Sequence, residues 1–411
     1  MIKYPENVIK IMDIFKSSGY VAYAVGGCVR DSIMGKVPND WDVTTSCRPE
    51  KMLEIFSSQN IKTIPTGIKH GTVSVLLDGE IYECTTFRID GEYTDSRHPD
   101  SVEFTDELTL DLSRRDFTVN AMAANPALGI CDPFGGMSDL EKKIIRCVGK
   151  PEKRFAEDAL RILRALRFAT TLGFKIEENT LSAIKKLSHT LNGISSERKT
   201  AEFSKILCCD NPLYGLELLF ESGVIKYIIP DAEPFLPEIR DGCSDLKPFR
   251  TEIRDGCSDL KRFPPEIRDV RADFSLRFAA LLWRTNCRDL SCLCLSNKEK
   301  KNISLALEKI PFEPNAEGAR RALAKYGEIC RDVCIIQGRN DLAELLLEKD
   351  ILSSAVRISQ LDIDGNRLKE LGFSPRKIGE ILAFLLDCVI KNPECNTRKS
   401  LEKIAYDNFS A

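Results

Sequence analysis

The segment that decides the fold runs from residue 20 to residue 45 and reads YVAYAVGGCVRDSIMGKVPNDWDVTT. Its apolar start predicts a strand over 20–25, which Gly26-Gly27 ends before a short helix begins near Val29. Two glycines at such a junction let the backbone approach a ligand closely, and the N–H groups at the start of the helix suit a phosphate. Arg30 would add a charge-assisted contact. Taken alone, a Gly-Gly pair is more typical of a tight turn with positive φ.

Two aspartates follow in the same segment, in Asp40-Trp41-Asp42. On a strand, residues i and i+2 project from the same face, so the two carboxylates would lie together. Such a pair can hold two Mg²⁺ ions, which prefer oxygen ligands and clamp the oxygens exchanged in nucleotidyl transfer. A bare Asp-x-Asp is common in surface turns, but here it follows a possible phosphate cradle and leads into the strand-like Val43-Thr44-Thr45. This order favours a metal site formed by Asp40 and Asp42.

A β-hairpin is predicted further along the same part of the chain. Strands over 72–77 and 81–87 flank Asp78-Gly79, a pair typical of a tight hairpin turn. Glu83 lies in the second strand, which is otherwise apolar and Thr-rich. It could complete the metal site or serve as a base, and it could equally protect an exposed edge strand from aggregation.

The chain changes character after Gly149-Lys150-Pro151. Beyond this point apolar residues recur with the helical period. The helical stripes cover 153–172, 178–191, 196–209, 213–221, 273–284, 298–309, 317–335, 340–349 and 376–391. The sequence therefore predicts an α+β protein, in which a mixed β-sheet head is followed by an all-helical remainder.

A short polar unit is duplicated within the helical part. EIRDGCSDLK occurs at 238–247 and again at 252–261, and EIRD occurs a third time at 266–269. Solenoid repeats are longer and each buries an apolar face, so this duplication does not indicate a solenoid. We expect an exposed loop over 238–269 that tolerates insertion and has no role in the chemistry.

Composition narrows the class of protein. The 411 residues are 43% hydrophobic and 29% charged. No apolar run approaches the roughly 20 residues that span a bilayer, which excludes an integral membrane protein.

Residues 8–15 are charged and helix-periodic, unlike a signal peptide, so we expect a cytoplasmic protein. Only His70, His98 and His189 exist, which excludes the common His-ligated metal enzymes. With a net charge of −3, any nucleic-acid binding must use local basic patches.

The first helical stripe contains a further candidate, over 157–168. Asp158 and Arg161 are three residues apart, as are Arg164 and Arg167, so the members of each pair should meet on a helix surface. An Asp acceptor beside an Arg donor can imitate the hydrogen-bonding edge of a base, and could select a nucleotide without a template. The alternative is a surface ion pair worth about 0.2–0.5 kcal/mol.

Two other motifs lie between the hairpin and this helix. Arg114-Arg115 stands before an apolar stretch and could hold a triphosphate, although a solvated basic pair is the more common reason for such a motif. Asp132-Pro133-Phe134-Gly135-Gly136 predicts a structured turn, with no function that the residues alone identify.

Together these segments resemble the class II CCA-adding tRNA nucleotidyltransferases, in the polymerase-β-like superfamily that also holds the bacterial poly(A) polymerases. The motifs that carry the resemblance are, in order, Gly26-Gly27-x-x-Arg30-Asp31, Asp40-x-Asp42, Arg114-Arg115-Asp116-Phe117-Thr118-x-Asn120-Ala121, Asp132-Pro133-Phe134-Gly135-Gly136, Glu157-Asp158-x-x-Arg161 and Ile194-Ser195-x-Glu197-Arg198. The resemblance implies a catalytic nucleotidyltransferase head over 1–148, a neck with the nucleotide-selecting motif over 149–209, a body over 210–310 and a tail over 311–411.

The resemblance also implies a role for each candidate residue. Asp40 and Asp42 would bind Mg²⁺ and be catalytic, with Glu83 as a third acidic residue. The implied nucleotide-binding residues are Gly27, Arg30 and Arg115 for the triphosphate, and Asp158 and Arg161 for the base of CTP or ATP. Arg164 and Arg167 would support these two or contact phosphates. Residues 86–99 resemble the flexible loop that helps such enzymes to switch nucleotide.

The implied activity is template-independent addition of C, C and A to the 3′ end of tRNA from CTP and ATP. The RNA 3′-hydroxyl would attack the α-phosphate, and pyrophosphate would leave. The helical remainder would hold the tRNA acceptor end. The alternatives are an A-adding or CC-adding relative, a bacterial poly(A) polymerase, or a non-catalytic RNA-binding scaffold. The complete 86–99 segment favours full CCA addition, and the intact Asp40-x-Asp42 favours an enzyme.

Overall fold

A computed structural model describes residues 2–91, 101–230, 266–283 and 289–409. The chain forms two compact units. The first comprises Met1–Asp231 and Cys292–Cys294, and the second comprises Ala232–Ser291 and Leu295–Ala411. The finer division into head, neck, body and tail stays a prediction.

The first unit is built on a mixed β-sheet. The strands are β1 (Ala22–Val25), β2 (Asp42–Thr45), β3 (Lys62–Gly67), β4 (Thr72–Leu77), β5 (Glu80–Thr86), β6 (Arg88–Asp90), β7 (Val102–Phe104), β8 (Ala123–Asn125), β9 (Gly129–Cys131), β10 (Ile144–Ile145) and β11 (Lys175–Ile176). The main sheet has the order β3-β4-β5-β2-β1-β8-β9, and only the β2–β5 pair within it is parallel. Antiparallel β6–β7 and parallel β10–β11 form two small sheets. The predicted α+β class is confirmed.

Helices surround this sheet and continue beyond it in the first unit. They are α1 (Glu6–Ser17), α2 (Gly27–Ile33), α3 (Pro49–Ser58), α4 (Leu108–Ser113), α5 (Gly136–Lys142), α6 (Pro151–Glu157), α7 (Leu160–Leu172), α8 (Glu178–Leu187), α9 (Ser196–Leu207) and α10 (Pro212–Glu221). Helix α7 packs against α9 and α10. It buries Ile162, Leu163 and Leu166 completely, as its apolar spacing predicts.

The described part of the second unit is helical. Its helices are α11 (Glu266–Asp269), α12 (Phe274–Trp283), α13 (Asn297–Leu307), α14 (Ala316–Tyr326), α15 (Cys330–Ile336), α16 (Asn340–Leu345), α17 (Lys349–Leu352), α18 (Gly365–Glu370), α19 (Ile378–Lys391) and α20 (Arg398–Phe409). A core cluster that includes Leu368, Leu385 and Leu401 joins α18, α19 and α20. In the described residues, no helix combines the length and the apolar character needed to cross a bilayer.

The hairpin around Asp78-Gly79 confirms its prediction most closely. Its strands are β4 and β5, and both turn residues have positive φ, 50° at Asp78 and 84° at Gly79. An Asp-Gly pair in this conformation matches the twist of the flanking strands. Strand β5 lies inside the sheet, between β4 and β2, so the edge-strand explanation of Glu83 is wrong.

Three other expectations need correction. Helix α2 begins at Gly27 rather than near Val29, and β2 begins at Asp42, so Asp40 precedes the strand. The single helix expected over 153–172 is two helices, because the backbone is extended at Asp158. Of the repeat at 238–269, the described part is the short helix α11, and the two longer copies lie outside the described residues.

Candidate active site

A cavity of about 550 Å³ opens in the first unit. Its lining residues are Gly26, Gly27, Arg30, Asp40, Asp42, Arg114, Arg115, Asp116, Asn120, Asp158, Arg161, Arg164 and Phe168. The Asp40–Asp42 motif and the Asp158–Arg161 motif therefore face the same space, although more than a hundred positions separate them in the chain. Two candidates, Glu83 and Arg167, lie outside this wall.

The Gly-Gly turn forms one edge of the cavity. Gly26 has φ 82° and ψ −132° and precedes α2 directly. A Cβ there would lie 3.2 Å from Nη1 of Arg115, so the position requires glycine both for its backbone and for its close neighbour. The tight-turn interpretation is thus confirmed for Gly26, which also lines the cavity, and phosphate binding by the Gly-Gly turn stays a prediction.

The three acidic candidates lie near one another: Asp40 precedes β2, Asp42 begins it, and Glu83 lies in the middle of β5. The pairing of Val43 with Cys84 places Asp42 beside Glu83 in adjacent strands. Desolvation by the cavity walls raises the pKa of Asp42; Arg115 opposes the rise, and the charges of Glu83 and Asp40 add to it. Among the described residues, no group of three or more His, Cys, Asp or Glu side chains is arranged to hold a metal ion.

A pair of carboxylates still fits a divalent cation at this place. Asp40 and Asp42 both line the cavity, and carboxylate oxygens are the ligands that Mg²⁺ prefers. The negative charges that crowd Asp42 are an arrangement that a cation would neutralise. Glu83, outside the cavity wall, fits the role of a neighbour that adds to this field.

Asp111 is a functional candidate that the sequence interpretation missed. This fully buried carboxylate of α4 accepts hydrogen bonds from Arg114 at 2.8 Å and from Arg115 at 3.4 Å, and from the hydroxyl of Thr44 in β2. Burial alone would raise the pKa of Asp111, but Arg114 and Arg115 hold it below its usual value. The spacing of Asp111 from the two arginines, three and four residues, is the signal that could have identified it.

A chain of four polar side chains joins α2 to α7 across the cavity. Arg30 donates to Oδ1 of Asn120 at 2.7 Å, and Asn120 donates to Asp116 at 3.2 Å. Asp116 in turn accepts from Nη2 of Arg164 at 2.7 Å. Burial alone would raise the pKa of Asp116, but Arg164 and Asn120 hold it below its usual value. Asp116 and Asn120 belong to the sequence motif that follows Arg115. The sequence shows them in that motif, but it does not show that they link Arg30 to Arg164.

Asp158 and Arg161 face the cavity as separate groups. Asp158 lies in the break between α6 and α7, where its carboxylate accepts from the backbone N–H of Leu160 at 3.0 Å and from Arg198 of α9 at 2.8 Å. Arg161 donates to Glu157 at 2.6 Å. The expected Asp158–Arg161 ion pair is therefore wrong, because the helix break turns the two side chains to different partners.

Arg167 takes part in the wall indirectly. It pairs with the buried Glu202 of α9, and its guanidinium lies 3.9 Å from the centre of the Phe168 ring, which does line the cavity. Arg164 also contacts this ring, at 5.3 Å, so both arginines meet at Phe168 as their spacing suggested. Desolvation lowers the pKa of the Arg167 guanidinium despite Glu202.

The predicted turn over 132–136 is confirmed, and helix α5 begins at its last residue, Gly136. Both carboxylate oxygens of Asp132 accept backbone hydrogen bonds, from Gly136 at 2.7 Å and from Met137 at 2.9 Å. The helix that begins there, α5, packs against residues 118–120. The motif thus supports the segment that carries Asn120 and lies outside the cavity itself.

Two family models match the chain. Residues 22–146 match the poly A polymerase head domain, and residues 173–236 match a probable RNA- and SrmB-binding site of polymerase A. The CCA-adding enzyme of Ligilactobacillus salivarius is 46% identical over 222 residues, and that of Geobacillus kaustophilus is 45% identical over 223 residues. Each alignment covers 54% of this chain and 54% of the relative, so the chain matches about half the length of these curated relatives.

Solved structures extend the likeness along the chain. The crystal structure of a Bacillus stearothermophilus CCA-adding enzyme in complex with CTP is 29% identical, covers 98% of each chain and gives a TM-score of 0.77. A Thermotoga maritima CCA-adding enzyme complexed with tRNA is 21% identical, with a TM-score of 0.64 over 98% of this chain and 96% of that one, and shows the fold alone. This chain resembles the CCA-adding enzymes. The resemblance inferred from the motifs is thereby confirmed.

The matched head domain contains only part of the cavity. Gly26, Asp42 and Arg115 lie within residues 22–146, whereas Asp158, Arg161, Arg164 and Phe168 lie between the two matched segments. This part of the wall is thus contributed by α7 and by Asp158, which lie outside both matched segments.

Proposed function

We propose that this protein adds C, C and A to the 3′ end of tRNA without a nucleic-acid template, using CTP and ATP. The observation that supports this proposal is the single cavity shared by Asp40 and Asp42 with Asp158 and Arg161. One side offers ligands for a cation, and the other offers an acceptor and a donor. The resemblance to CCA-adding enzymes supplies the choice of reaction and substrates.

The carboxylates of Asp40 and Asp42 would hold the divalent cation. When bound there, Mg²⁺ would supply positive charge against the phosphate oxygens during transfer. Arg115 lies close enough to Asp42 to lower its pKa, and would share the phosphate oxygens from the other side. Catalysis by such a site rests on positioning and electrostatics, since phosphoryl transfer needs little covalent chemistry from the protein.

The triphosphate of the incoming nucleotide would lie along the Gly-Gly turn. Gly27 begins α2 without a side chain that obstructs approach, and Arg30 lines the same wall. Asp31 and Asn120 accept from Arg30 and fix its guanidinium, so the contact is preorganised. The attack of the RNA 3′-hydroxyl on the α-phosphate would then release pyrophosphate past the arginines.

Asp158 and Arg161 would read the base. Cytosine and adenine both present an amino donor next to a ring-nitrogen acceptor, which a carboxylate and a guanidinium can match together. Uracil and guanine reverse this pattern and would leave buried groups unpaired, which is the strongest basis for rejecting them. Because Arg198 already holds Asp158 at 2.8 Å, the acceptor is fixed before the nucleotide arrives.

The remaining parts of the proposal concern the RNA. The neck, body and tail predicted over 149–411 would bind the acceptor end of tRNA, and residues 86–99 would take part in the change from CTP to ATP. Of that segment, Arg88 and Asp90 lie in β6, whereas residues 92–99 fall outside the described residues.

The test is incorporation into tRNA transcripts that end before the first C, after one C or after both. Each is incubated with Mg²⁺ and labelled CTP, ATP, UTP or GTP, alone and in mixtures, and the products are sequenced. We expect CCA to be completed from every start and extension to stop there. Products that end in CC would indicate a CC-adding relative, and addition of a single A only to CC ends would indicate an A-adding relative. Long A tails would indicate a poly(A) polymerase. Absence of any incorporation would favour a non-catalytic scaffold.

A further inference from the structure

Three guanidinium groups surround the ring of Phe168. The centres of the Arg167, Arg30 and Arg164 guanidiniums lie 3.9, 5.2 and 5.3 Å from the ring centroid. Phe168 is 7% exposed, and Phe117 meets it edge-on at 5.7 Å. A ring that is held in place and largely shielded from water attracts cations most strongly, because its negative faces are not screened.

The charge of each arginine in this cluster is balanced separately. Arg30 pairs with Asp31 at 2.8 Å, Arg164 with Asp116 at 2.7 Å, and Arg167 with Glu202. The three carboxylates come from three different elements. The aromatic ring is the neighbour that all three guanidiniums share, and Arg30 and Arg164 are also joined through Asn120 and Asp116.

The ring connects the inner and outer parts of the wall. Arg30 and Arg164 line the cavity together with Phe168, whereas Arg167 lies outside the wall. On α7, Arg161, Arg164 and Phe168 follow one another at positions i, i+3 and i+7, so they share one face of the helix. Phe168 is thus the last residue of the stripe that faces the cavity, and it is the point at which Arg30 of α2 meets this stripe.

We propose that Phe168 is a positioning residue that holds Arg30 and Arg164 toward the triphosphate of the incoming nucleotide. This inference rests on the proposed function for the identity of that ligand. A planar ring restricts the plane of a guanidinium that lies against it, whereas an aliphatic side chain of similar size only fills space. Preorganised guanidiniums bind a polyphosphate more tightly because less conformational entropy is lost on binding.

The first test compares substitutions that separate the ring from the volume. Phe168→Leu and Phe168→Met keep an apolar side chain without a ring, and Phe168→Tyr keeps the ring. We expect the KM for CTP and for ATP to rise about tenfold in the Leu and Met variants with kcat changed less than about threefold, the pattern of a lost binding interaction. The Tyr variant should stay within about twofold of the wild type, because it retains the cation–π face.

A matched control accounts for the loss of a buried ring as such. Phe56 is fully buried in the first unit and, like Phe168, meets another ring edge-on, that of Phe15 at 5.3 Å, but it does not line the cavity. Phe56→Leu should lower Tm as much as Phe168→Leu does, and should leave both KM values unchanged. If Phe168→Leu does not fold, the Met variant carries the comparison.

A binding measurement separates this inference from the proposed function. Inorganic tripolyphosphate has no base and needs no RNA, so its Kd, measured by calorimetry with Mg²⁺ present, reports phosphate binding without base recognition or transfer. We expect about tenfold weaker binding in Phe168→Leu than in the wild type. Adding Arg164→Gln to Phe168→Leu should weaken binding less than Arg164→Gln weakens it in the wild type, because the effects of coupled residues are not additive. This result stands even if the wild type adds no nucleotide, which would defeat only the proposed function.

Three outcomes overturn the role of Phe168. The first is equal loss in the Leu and Tyr variants, which would indicate packing alone. The second is full additivity of Phe168→Leu with Arg164→Gln. The third is a binding measurement in which tripolyphosphate does not bind the wild type, or binds Phe168→Leu as tightly as the wild type.

Discussion

At the scale of the residue, we expect Asp42 to lower the stability of the fold while it supports activity. Its pKa is raised by desolvation, against the effect of Arg115, and by the charges of Glu83 and Asp40. A carboxyl whose pKa is higher in the folded protein than in the unfolded one lowers stability when it is ionised at neutral pH. We therefore expect Asp42→Asn to leave the free energy of unfolding in metal-free urea titrations unchanged or higher. CTP incorporation should fall at least about a hundredfold, since several kcal/mol of transition-state stabilisation are lost.

The matched control for Asp42 is Asp78→Asn. Asp78 is exposed at the hairpin turn with φ 50°, a conformation that asparagine accepts as readily as aspartate. This variant should incorporate CTP at the wild-type rate. Full activity of Asp42→Asn would show that the Asp42 carboxylate is not a ligand of the divalent cation. A large decrease in the free energy of unfolding of this variant would show that the charge of Asp42 is compensated in the folded protein.

Arg198 provides a second prediction for a single residue. Its hydrogen bond to Asp158 spans 40 positions, and both side chains are partly exposed, so we expect Arg198→Gln to cost only about 0.2–1 kcal/mol of stability. Selectivity should change more, because Asp158 then loses the group that fixes its carboxylate. We expect the preference for CTP over UTP, measured as a ratio of kcat/KM values, to fall about tenfold.

The control for Arg198 removes a charge from the same helix. Lys205 is exposed in the last turn of α9, and Lys205→Gln should preserve the preference for CTP. Unchanged discrimination in Arg198→Gln would mean that Asp158 is fixed without its arginine or does not read the base. Asp158→Ala distinguishes these possibilities, since only the first predicts a loss of selectivity in that variant.

At the scale of the element, the break between α6 and α7 shows how far local sequence can lead. The apolar spacing of 153–172 predicts the helix and its buried face, because both follow from periodicity. The break at Asp158 follows from contacts with Arg198 and with the backbone of Leu160, and the first of these partners is remote in sequence. An aspartate that precedes a helical stripe is also a good N-cap, so part of the signal was present and was outweighed by the longer pattern.

The same distinction explains the rest of the site. The Gly-Gly turn, Asp40, Asp42 and Arg115 could be predicted to share a site because they occur in short motifs whose order along the chain resembles a known family, although single motifs such as Gly-Gly have commoner explanations. The role of Phe168 could not, because an aromatic residue in an apolar stripe usually belongs to the core, and its arginine contacts come from α2 as well as from α7. The spacing of Asp111 from Arg114 and Arg115 is visible in the sequence, but its burial and its contact with Thr44 depend on the tertiary structure.

Helix α5 gives a prediction at the element scale. A Cβ at Gly136 would lie 2.3 Å from the carbonyl oxygen of Thr118, so Gly136→Ala must push α5 away from the segment that carries Asn120. We expect a loss of about 1–3 kcal/mol in the free energy of unfolding, together with weaker CTP binding, because Asn120 fixes Arg30. Urea unfolding and calorimetry measure the two effects.

Gly193→Ala is the matched control for α5. No heavy atom lies within 4 Å of a Cβ at Gly193, and its φ is not in the left-handed region. Alanine there should be neutral, or should raise stability by about 0.4–1 kcal/mol through the unfolded chain. A Gly136→Ala variant as stable as Gly193→Ala would show that α5 shifts without cost.

At the scale of the whole molecule, the two units should differ in their response to acid. Burial alone would raise the pKa values of Asp111 and Asp116, but the surrounding arginines hold both below their usual range. Such carboxyls contribute stability above their unfolded pKa of about 4, and this contribution is lost as the pH falls toward the lower folded values. The carboxyls of the second unit with lowered pKa values are less buried: Asp289, Asp341, Asp387 and Glu402.

The two tryptophans allow each unit to be observed separately. Trp41 is buried in the first unit and Trp283 is half-buried in the second, and the chain contains no other. In an acid titration below pH 4, the fluorescence of Trp41 in a Trp283→Phe variant should change at a higher pH than that of Trp283 in a Trp41→Phe variant. The reason is that protonation of Asp111 and Asp116 leaves partly buried guanidiniums without their counter-charges, which costs more than the loss of more exposed pairs. Coincident transitions, or an earlier change at Trp283, would show that acid stability is not set by these two aspartates.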